Sequence, residues 1–459
     1  MHKHSYINIL LIDIGGDEHT AEIPSLLKEK FRHSKIGAIT STKTGFVNKF
    51  DFFVDYQEVI SGNFVDTDFV NGIGTDVYDL TKSCEIDAIR MMDRLPQFQH
   101  GYAGSLGDRR ELFFQLSKFL HNFITKNHVT HVIFANIPHE VYDFILYSLC
   151  KALSIPTLLF NDAGGVIKHS MTICESIEEL GLLEFGSKVK RAINSVCTET
   201  WESDLESSFQ RQDIVAGSGS TKSKLTLKRL VNNAPITKKR RRLYLLKREY
   251  KNNLGPSTIP SRYILVALHV QPELSTSPCG GHFVEQIEAI KFLAANLDGY
   301  AILVREHPDQ FRLRIPRPIG FYKAITKIPG VVLSPFTIGV REIVSKSSAV
   351  VTVSGTIALE SVLLGRPGFI LGYSWFRQCP GIFNISNQTE MAIAVEALNN
   401  WKPTEAAQLA NFADSLKLSL FQGTTWGTPV ELSEFETSIF RNVTVTNVSN
   451  VIEYWISNN

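Results

Sequence analysis

Apolar and polar positions alternate along most of the chain in a pattern that predicts repeated strand and helix units. Short apolar runs in the first part, such as INILLIDI and KIGAIT, are separated by amphipathic stretches such as RRELFFQLSKFLHNFITKN. Strand-like runs that alternate with helical periodicity indicate βαβ units and a parallel sheet. The pattern therefore predicts a Rossmann-like domain over residues 1–185.

The same alternation resumes at Tyr263, after a stretch without periodic strand signals. Residues 186–260 are rich in Ser, Lys and Arg, and we interpret them as a partly helical basic linker. Residues 261–400 predict a second Rossmann-like domain, and residues 401–459 predict C-terminal helices and a tail that could cap either domain. The expected fold class is α/β with two parallel sheets.

Composition and charge narrow the class of protein. The chain has 459 residues with 47 Lys and Arg against 46 Asp and Glu, so the net charge of +1 gives no reason to expect a nucleic-acid partner. The six cysteines are scattered without paired spacing, which favours neither a disulfide framework nor a zinc site and fits a reducing cytoplasm. Asp13 interrupts the N-terminal apolar run, which predicts a buried strand instead of a signal peptide. No apolar window has the length of about 18 residues that a transmembrane helix needs.

Three strand-like runs of the second domain each end in a polar cluster. YILVALHV leads into QPELST, AILVRE leads into HPDQ, and AVVTV leads into SGTIALES. In an open α/β sheet, ligands bind beyond the carboxyl ends of the strands. The sequence therefore predicts a ligand site built from these three clusters.

The SGT cluster has the chemistry of a phosphate site. Ser354, Gly355 and Thr356 stand between a buried strand and a helix, where free N–H groups, a close backbone approach and hydroxyl donors suit a phosphate. Glu360 follows one turn later on an otherwise apolar helix and could accept hydrogen bonds from ribose hydroxyls. The alternative is that a hydroxyl caps the helix and Glu360 favours its positive end.

The other two clusters supply further candidate ligands. His307 sits at a strand end because Pro308 cannot continue the ladder, so its imidazole could donate to a phosphate or a leaving group. The loop after the first strand could hold phosphate or sugar. Its candidate binding residues are His269, Gln271, Glu273, Ser275 and Thr276. A surface histidine and a polar connecting loop are the alternatives.

Three segments of this region, in their order and spacing, carry a family resemblance. HVQPELSTSPCGGHFVEQ, LVREHPDQF and VTVSGTIALESVLLGRPGFILG resemble bacterial capsule and surface polysaccharide biosynthesis proteins related to Kdo transferases. The match covers about residues 263–372, and MMDRLPQ, DRRELFF and IFANIPHEVYDFILYSLCKALSIPTLLF resemble the same proteins more loosely. The resemblance implies a GT-B-like fold, in which two Rossmann-like domains face each other across a cleft. The nucleotide-sugar would bind the C-terminal domain and the acceptor mainly the N-terminal one.

Roles for individual residues follow from the same resemblance. His307 would contact the donor phosphate, Ser354 and Thr356 would bind phosphate or nucleotide, and Glu360 would hold the ribose. The related enzymes often use CMP-activated ulosonic acids, which implies a CMP-linked, Kdo-like donor as substrate. No separate cofactor and no metal ion are expected.

Three residues of the N-terminal domain lie at predicted strand ends and are candidate catalytic bases. Asp13 ends the first strand, His139 follows HVIFANI, and Asp162 ends PTLLF. Such placement suits general acid–base work, and His307 is the fourth catalytic candidate. A turn-forming Asp beside glycines and a helix N-terminus after Pro138 are the alternatives.

Other charged groups have weaker signals. Asp66–Asp68 matches the DxD pattern of metal-binding glycosyltransferases, but its irregular surroundings argue against a metal. The basic run Lys238–Arg242, with leucines beside it, could dock on anionic lipid at the inner face of the cytoplasmic membrane or form a solvated linker face. Asp93, Arg94 and Arg109 are candidates for sugar or carboxylate contacts, with surface ion pairing as the alternative.

The function expected from the sequence is a cytoplasmic, metal-independent glycosyltransferase of capsule or lipopolysaccharide O-antigen biosynthesis. It would transfer a Kdo-like ulosonic acid from a CMP donor to a glycan or lipid-linked acceptor. Three alternatives remain: a GT-B transferase that uses a UDP-, GDP- or dTDP-hexose, a sugar-nucleotide epimerase of similar architecture, and a non-catalytic polysaccharide-assembly protein.

Overall fold

The structure is a computed structural model in which two compact units are described. The described residues are 6–41, 46–62, 75–95, 104–163, 167, 169–203, 238–255, 259–271, 273–311, 317–425 and 433–459. One unit contains the described residues up to 203 together with 410–459, and the other contains residues 238–409. Each unit has its own sheet and is described by itself.

The first unit contains a seven-stranded sheet in the order β13-β6-β5-β4-β1-β2-β3. Its strands are β1 (Asn8–Ile12), β2 (Lys35–Thr40), β3 (Phe52–Asp55), β4 (His131–Phe134), β5 (Thr157–Asp162), β6 (Ser170–Cys174) and β13 (Phe421–Gln422). The five strands from β3 to β5 are parallel, and β6 and β13 continue the sheet antiparallel. The order 3-2-1-4-5 is that of a Rossmann-type sheet, in which the order of successive strands reverses between β1 and β4.

Helices connect and cover these strands. They are α1 (Ile23–Lys30), α2 (Tyr56–Ser61), α3 (Thr75–Thr81), α4 (Glu85–Met91), α5 (Leu106–Lys126), α6 (Tyr142–Ala152) and α7 (Leu183–Ala192). Short 3-10 turns lie at Phe46–Lys49, Lys82–Cys84, Met92–Arg94 and Ile177–Glu179. The long α5 starts with a capping box, in which Ser105 and Asp108 each accept the other's backbone N–H.

The last helix of the chain, α15 (Glu434–Asn458), completes the core of the first unit. Its residues Val448, Val451, Ile452 and Trp455 are buried in one cluster with strand residues of β1, β2, β4, β5 and β6. The indole of Trp455 also donates to a carboxylate oxygen of Glu175 at 2.8 Å. The sequence analysis did not decide which domain the C-terminal helices cover. In the structure, α15 packs on the first sheet.

The second unit contains a six-stranded parallel sheet in the order β12-β11-β10-β7-β8-β9. Its strands are β7 (Tyr263–Ala267), β8 (Ala301–Arg305), β9 (Val331–Leu333), β10 (Ala349–Thr352), β11 (Gly368–Ile370) and β12 (Ile382–Asn384). Numbered within the unit, this is the Rossmann order 3-2-1-4-5-6, and it reverses between β7 and β10.

The helices of the second unit are α8 (Lys238–Asn252), α9 (Gln286–Asn296), α10 (Phe321–Ile325), α11 (Val340–Ser345), α12 (Ile357–Leu363) and α13 (Gln388–Asn399). Further 3-10 turns lie at Gly281–Phe283 and Pro308–Phe311, and α14 (Ala406–Lys417) crosses the boundary between the units. Successive strand residues pack on opposite faces of the sheet. Ile264 and Val266 join a cluster with α8, α9, α10 and α13, while Tyr263 and Leu265 join a cluster with α11. A parallel sheet covered on both faces explains the continuous apolar runs of the sequence.

The predicted fold class of two Rossmann-like domains with parallel sheets is confirmed by these strand orders. The basic segment that we interpreted as a linker divides in the structure: α7 belongs to the first unit and α8 to the second. Among the described helices, none is long and apolar enough to cross a membrane. The Asp66–Asp68 motif lies outside the described residues.

Candidate active site

The second sheet brings its three polar segments to one edge. They follow β7, β8 and β10, whose carboxyl ends lie side by side because the strands are parallel neighbours. The switch point of the sheet lies between β7 and β10, and this is where ligands bind in open α/β sheets. The three polar segments therefore lie together at one edge of the sheet, as the sequence predicted.

His269 follows β7 and connects three parts of the cluster. Its Nε2 lies 2.6 Å from the Thr352 hydroxyl and 3.3 Å from the Ser354 nitrogen, and its Nδ1 lies 2.9 Å from the Ser275 hydroxyl. All three contacts are satisfied if Nδ1 donates and Nε2 accepts. Burial lowers the pKa of His269 to about 3, so the ring is neutral at physiological pH. His269 is thus a cross-link that positions the cluster.

The turn after β10 is held in place by hydrogen bonds of the Ser354 hydroxyl, N–H and carbonyl. The Ser354 hydroxyl donates to the Ser275 carbonyl at 2.7 Å, and no side chain caps α12 at Thr356. A side chain at position 355 would place its Cβ 3.0 Å from the His269 ring, so Gly355 lets the turn pass over the imidazole. The alternative in which Ser354 or Thr356 caps the helix is wrong.

Glu360 is the one carboxylate at this turn. Its Oε1 accepts from the Thr356 hydroxyl at 3.1 Å, while its Oε2 is buried and has no hydrogen-bond partner among the described residues. Burial raises the pKa of Glu360. An unpaired buried carboxylate oxygen is rare in native proteins and marks a place where a ligand can donate a hydrogen bond.

The loop after β7 is mostly occupied with its own structure. The Thr276 hydroxyl donates to the Glu273 carbonyl at 3.0 Å, and Thr276 is fully buried. Gln271 donates to the Val284 carbonyl at 2.8 Å and accepts from Gln286 at 3.0 Å. These predicted binding residues therefore shape the loop, and Glu273 and Ser275 lie on its half-buried side.

A buried ion pair lies beneath the segment that follows β8. Arg317 donates to both oxygens of Glu306, at 2.8 and 2.9 Å, and also to the His269 carbonyl at 2.6 Å. Tyr322 donates to the same carboxylate at 2.8 Å. The carboxylate also accepts the backbone N–H of His307 at 2.7 Å. The pair thereby fixes the position from which the imidazole of His307 projects.

His307 itself is half buried and has a defined tautomer. Its Nδ1 lies 3.2 Å from the backbone N–H of Asp309 and accepts from it, which places the ring proton on Nε2. Pro308 is exposed and starts the 3-10 turn after the strand. The role that the sequence suggested for this imidazole, donation to a phosphate or a leaving group, requires a protonated Nε2 and stays a prediction.

In the first unit, Asp13 lies at the equivalent switch point, directly after β1. Tyr142 donates to Asp13 Oδ2 at 2.8 Å. Burial is the main cause that raises the pKa of Asp13, the Tyr142 hydrogen bond opposes it, and the charges of Glu140 and Asp17 add to it, which gives a pKa of about 7. Asp13 also has a left-handed backbone, with φ of 56°. The side chain thus changes protonation near neutral pH, as a general base requires.

The segment after β4 adds a second set of titrating groups. His139 donates through Nδ1 to the Ile137 carbonyl at 2.7 Å, and burial lowers its pKa to about 3. Glu140 pairs with Arg94. Asp143 accepts the backbone N–H groups of both His139 and Glu140, and burial raises its pKa to about 8. His139 is therefore neutral and fixed, whereas the Asp143 carboxyl beside it has a pKa of about 8 and binds a proton at neutral pH.

Asp162 lies elsewhere on the first sheet. It is the last residue of β5, pairs with Met171 of the antiparallel β6, and is exposed. Arg109 forms an ion pair with Asp93 at 2.7 Å, which is the alternative considered for these two residues. The structure therefore brings Asp13, His139 and Arg94 together through the contacts of Tyr142 and Glu140, and it leaves Asp162 on the neighbouring strand pair.

Several residues of both clusters escaped the sequence reasoning. Tyr142 and Asp143 begin α6, shortly after His139. Two polar side chains at the start of an otherwise apolar helix are the sequence feature that could have identified them. Tyr56 lies edge-on to Tyr142, with ring centroids 5.5 Å apart. Arg317 stands 11 residues after its partner Glu306, and no spacing rule points to it.

Comparisons with known proteins give only distant matches. No family model matches the chain, and no curated protein matches it. Among solved structures, KpsC of Thermosulfurimonas dismutans, a beta Kdo 2,7 transferase, is 12% identical, with 65% of this chain and 89% of that chain covered and a TM-score of 0.31. UDP-GlcNAc 2-epimerase from Methanocaldococcus jannaschii is 12% identical, with 90% and 99% covered and a TM-score of 0.26. The α,α-trehalose 6-phosphate synthase from Burkholderia multivorans is 9% identical, with 99% and 98% covered and a TM-score of 0.31.

The kind of protein that the sequence resembles thus recurs among the structural matches. Since these TM-scores are all below 0.5, the fold assignment depends on the strand orders described above.

Proposed function

We propose that the protein is a glycosyltransferase of surface polysaccharide biosynthesis that transfers a Kdo-like ulosonic acid from a CMP-linked donor to a glycan or lipid-linked acceptor. The observation that carries this proposal is Glu360, whose buried Oε2 is unpaired beside a helix start without a side-chain cap. A ribose hydroxyl would donate to that oxygen. The sugar and the nucleotide base are taken from the resemblance of the sequence.

The leaving phosphate would be held by neutral donors. The Ser354 hydroxyl and N–H are both already engaged, so the backbone N–H groups of Gly355, Thr356 and Ile357 at the start of α12 would be the donors to the phosphate. The Nε2–H of His307 would add a side-chain donor. Donors that are fixed in advance stabilise charge on a leaving group without having to reorganise, and this arrangement would need no metal.

The acceptor hydroxyl would lose its proton to a carboxyl group of the first unit. Asp13 suits this role because its pKa of about 7 lets it accept a proton at neutral pH and release it again. Tyr142 holds one oxygen of the carboxyl group, which leaves the other oxygen for the acceptor. Asp162 remains the competing candidate, since it is exposed at the end of β5, which is separated from β1 by β4.

Nucleotide binding tests the donor half directly. We expect CMP to raise the melting temperature of the protein, and UDP, GDP and dTDP to have smaller effects. The Glu360→Gln variant should fold and lose most of the shift with CMP. Stabilisation by UDP or GDP without any by CMP would overturn the CMP assignment and favour a hexose donor.

The reaction type needs a second measurement. A transferase consumes its donor rapidly only when an acceptor is present, whereas an epimerase converts a nucleotide-sugar alone. We expect slow hydrolysis of CMP-Kdo without acceptor and rapid CMP release with it. If Glu360→Gln and His307→Ala restored the surface glycan of a deletion strain as well as the wild type does, the protein would be a non-catalytic assembly factor.

The exposed face of α8 supports contact with an anionic lipid surface. Arg241, Tyr244, Leu245 and Arg248 are exposed at helical spacing, with Tyr244 64% and Leu245 41% exposed. The opposite face is anchored, since Leu246 and Tyr250 lie in the core of the second unit. Cationic residues beside exposed apolar ones suit the interface of an anionic membrane, at about 1 kcal/mol for each basic residue near the surface.

Vesicle sedimentation tests this contact. The protein should sediment with phosphatidylglycerol vesicles and not with phosphatidylcholine vesicles, and Arg241→Gln with Arg248→Gln should weaken the binding about tenfold or more. Lys291→Gln, on the exposed side of α9, is the control with an equal change of charge per site. Equal binding of the double variant and the wild type would remove α8 from the contact.

A further inference from the structure

His19 is a buried histidine that the proposed reaction does not use. It lies in the loop between β1 and α1 and is 1% exposed. Its ring stacks on Phe440 of α15 with the ring centroids 5.3 Å apart. Neither ring nitrogen has a hydrogen-bond partner among the described residues. Because buried polar atoms are nearly always paired, two unpaired nitrogens on one ring point to a missing partner.

Arg441, the neighbour of Phe440, has the same feature. Its Nε is buried, and no partner for it exists in the described part of the chain. Its outer nitrogen Nη2 lies 3.8 Å from a carboxylate oxygen of Glu18, which is too long for a hydrogen bond. The Glu18 side chain is 77% exposed, so the outer end of the Arg441 guanidinium faces solvent next to Glu18.

The loop that carries His19 is held firmly. Asp17 Oδ1 accepts the backbone N–H groups of His19 and Thr20, at 3.1 and 2.8 Å, and also the Thr20 hydroxyl. The Thr20 hydroxyl accepts in turn from the Gly15 N–H at 2.8 Å. His19 is therefore positioned by its backbone, while the nitrogens of its ring are left unused.

The unpaired atoms define the chemistry of a ligand. Burial lowers the pKa of His19, so its ring is neutral and offers one N–H donor and one acceptor nitrogen. Arg441 Nε offers a charged donor. An oxyanion would accept from Arg441 and from the imidazole N–H, and an adjacent hydroxyl of the same ligand would donate to the other ring nitrogen.

We propose that His19 and Arg441 form a binding site for a hydroxylated oxyanion, either a sugar carboxylate or a phosphate monoester. His19 lies at the same edge of the first sheet as Asp13, since His19 and Asp13 both belong to the segment that follows β1. The claim that the site binds an acidic acceptor glycan rests on the proposed function. The claim that the site binds the anion is independent of that function.

Nuclear magnetic resonance of the full-length protein, labelled with ¹⁵N in histidine, tests the site without donor or transfer reaction. The probes are D-glucuronate, inorganic phosphate and, as the neutral control, D-glucose. We expect one of the two anions to shift both His19 ring nitrogens at millimolar concentration, and glucose to leave them unchanged. The more effective anion identifies the ligand class as carboxylate or phosphate.

Three variants complete the test. His19→Phe keeps a ring on Phe440, assigns the His19 resonances by their loss, and should abolish anion binding measured by calorimetry. Arg441→Met keeps the aliphatic stem and should weaken binding about tenfold, the effect expected for one charge-assisted hydrogen bond. Glu18→Gln removes a repulsive charge and should bind as well as the wild type or better.

Absence of any shift with both anions would overturn the proposal, as would equal shifts with glucose or unchanged affinity in Arg441→Met. If His19→Phe failed to fold, Arg441→Met alone would still decide. Since binding is measured without a nucleotide, a negative result here leaves the transferase assignment standing, and a negative CMP experiment leaves this site standing.

Discussion

Both sheets have buried carboxyl groups at the carboxyl ends of their strands, but the two units differ in whether a cation pairs with the carboxyl group. In the second unit, the buried carboxylate of Glu306 is paired with Arg317 and further hydrogen-bonded by Tyr322. In the first unit, Asp13 accepts a hydrogen bond from Tyr142, but burial and the charge of Glu140 outweigh that bond and raise the pKa of Asp13 to about 7.

This difference teaches how one architecture can serve two chemical tasks. A buried charge that is fully paired keeps one protonation state and holds neighbouring groups in fixed positions. The buried carboxyl group of Asp13 has no cation beside it in the described part of the chain, and its pKa of about 7 lets it take up and release a proton at neutral pH. The second unit is thus suited to binding, and the first to acid–base chemistry.

The largest expected effect comes from breaking the buried ion pair. Arg317→Met leaves the Glu306 carboxylate uncompensated at 0% side-chain exposure. This should destabilise the second unit by about 3–5 kcal/mol, measured by hydrogen exchange of the β7 and β8 amides. Lys346→Met, which breaks an exposed pair with Glu342, should change stability by less than about 1 kcal/mol.

A second variant separates the charge from the packing. Adding Glu306→Gln to Arg317→Met removes the uncompensated carboxylate and should recover part of the loss. If both variants were equally unstable, the hydrogen bond of Arg317 to the His269 carbonyl, and not its charge, would be what matters.

Asp13→Asn tests the chemistry of the first unit. Asparagine tolerates the left-handed backbone at this position but cannot accept a proton. Transfer from the donor should fall at least about a hundredfold, while CMP binding to the second unit should be unchanged. Asp162→Asn is the matched comparison at the other strand end, and a loss confined to that variant would move the base to Asp162.

The same Asp13 variant predicts a change in the pH dependence of stability. The pKa of Asp13 in the folded state, about 7, is above its ordinary value of 3.8. The protonated Asp13 therefore contributes its full stabilisation of the folded wild type below about pH 4, and this contribution is lost as pH rises through 7. Relative to the wild type, Asp13→Asn should gain about 2 kcal/mol between pH 4 and pH 8, less than the full shift implies because Asp13 is partly exposed. Urea denaturation at the two pH values measures it, and parallel curves would contradict the raised pKa.

The overall fold could be predicted from the sequence because its signals are local. Buried parallel strands read as short apolar runs, and INILLIDI, KIGAIT and YILVALHV became β1, β2 and β7. The positions of the polar clusters followed from the same logic, since parallel strands end at one edge. The C-terminal helix α15 was ambiguous because its pattern does not reveal which sheet it covers.

The roles of single residues were harder to predict because they depend on partners far along the chain. His269 is a cross-link only because Thr352, 83 positions later, lies on the adjacent strand. Tyr142, 129 positions away in sequence, donates the hydrogen bond that lowers the pKa of Asp13. Polar clusters in sequence identify the edge of the sheet, but hydrogen-bond partners decide which side chains remain for a ligand.

Glu360→Gln has a moderate expected effect on the binding side of the comparison. If Oε2 accepts a ribose hydroxyl, affinity for CMP should fall about tenfold, as for one hydrogen bond to a charged group. The wild type should also prefer CMP over dCMP, and the variant should not. Calorimetry with both nucleotides measures the preference, and equal discrimination by both proteins would separate Glu360 from the ribose.

The smallest expected effect tests whether Asp13 is the titrating group. Tyr142→Phe removes the hydroxyl that stabilises the ionised carboxylate, so the pKa of Asp13 should rise further above about 7. Since a base acts in its deprotonated form, the acidic limb of the pH–rate profile should move up by about half to one pH unit. Tyr56→Phe is the control, because Tyr56 contacts the Tyr142 ring and its substitution leaves the Tyr142 hydroxyl on Asp13 in place. A limb that stays in place in Tyr142→Phe would mean that another group titrates, and Asp13 would then join the fixed framework that we assign to the second unit.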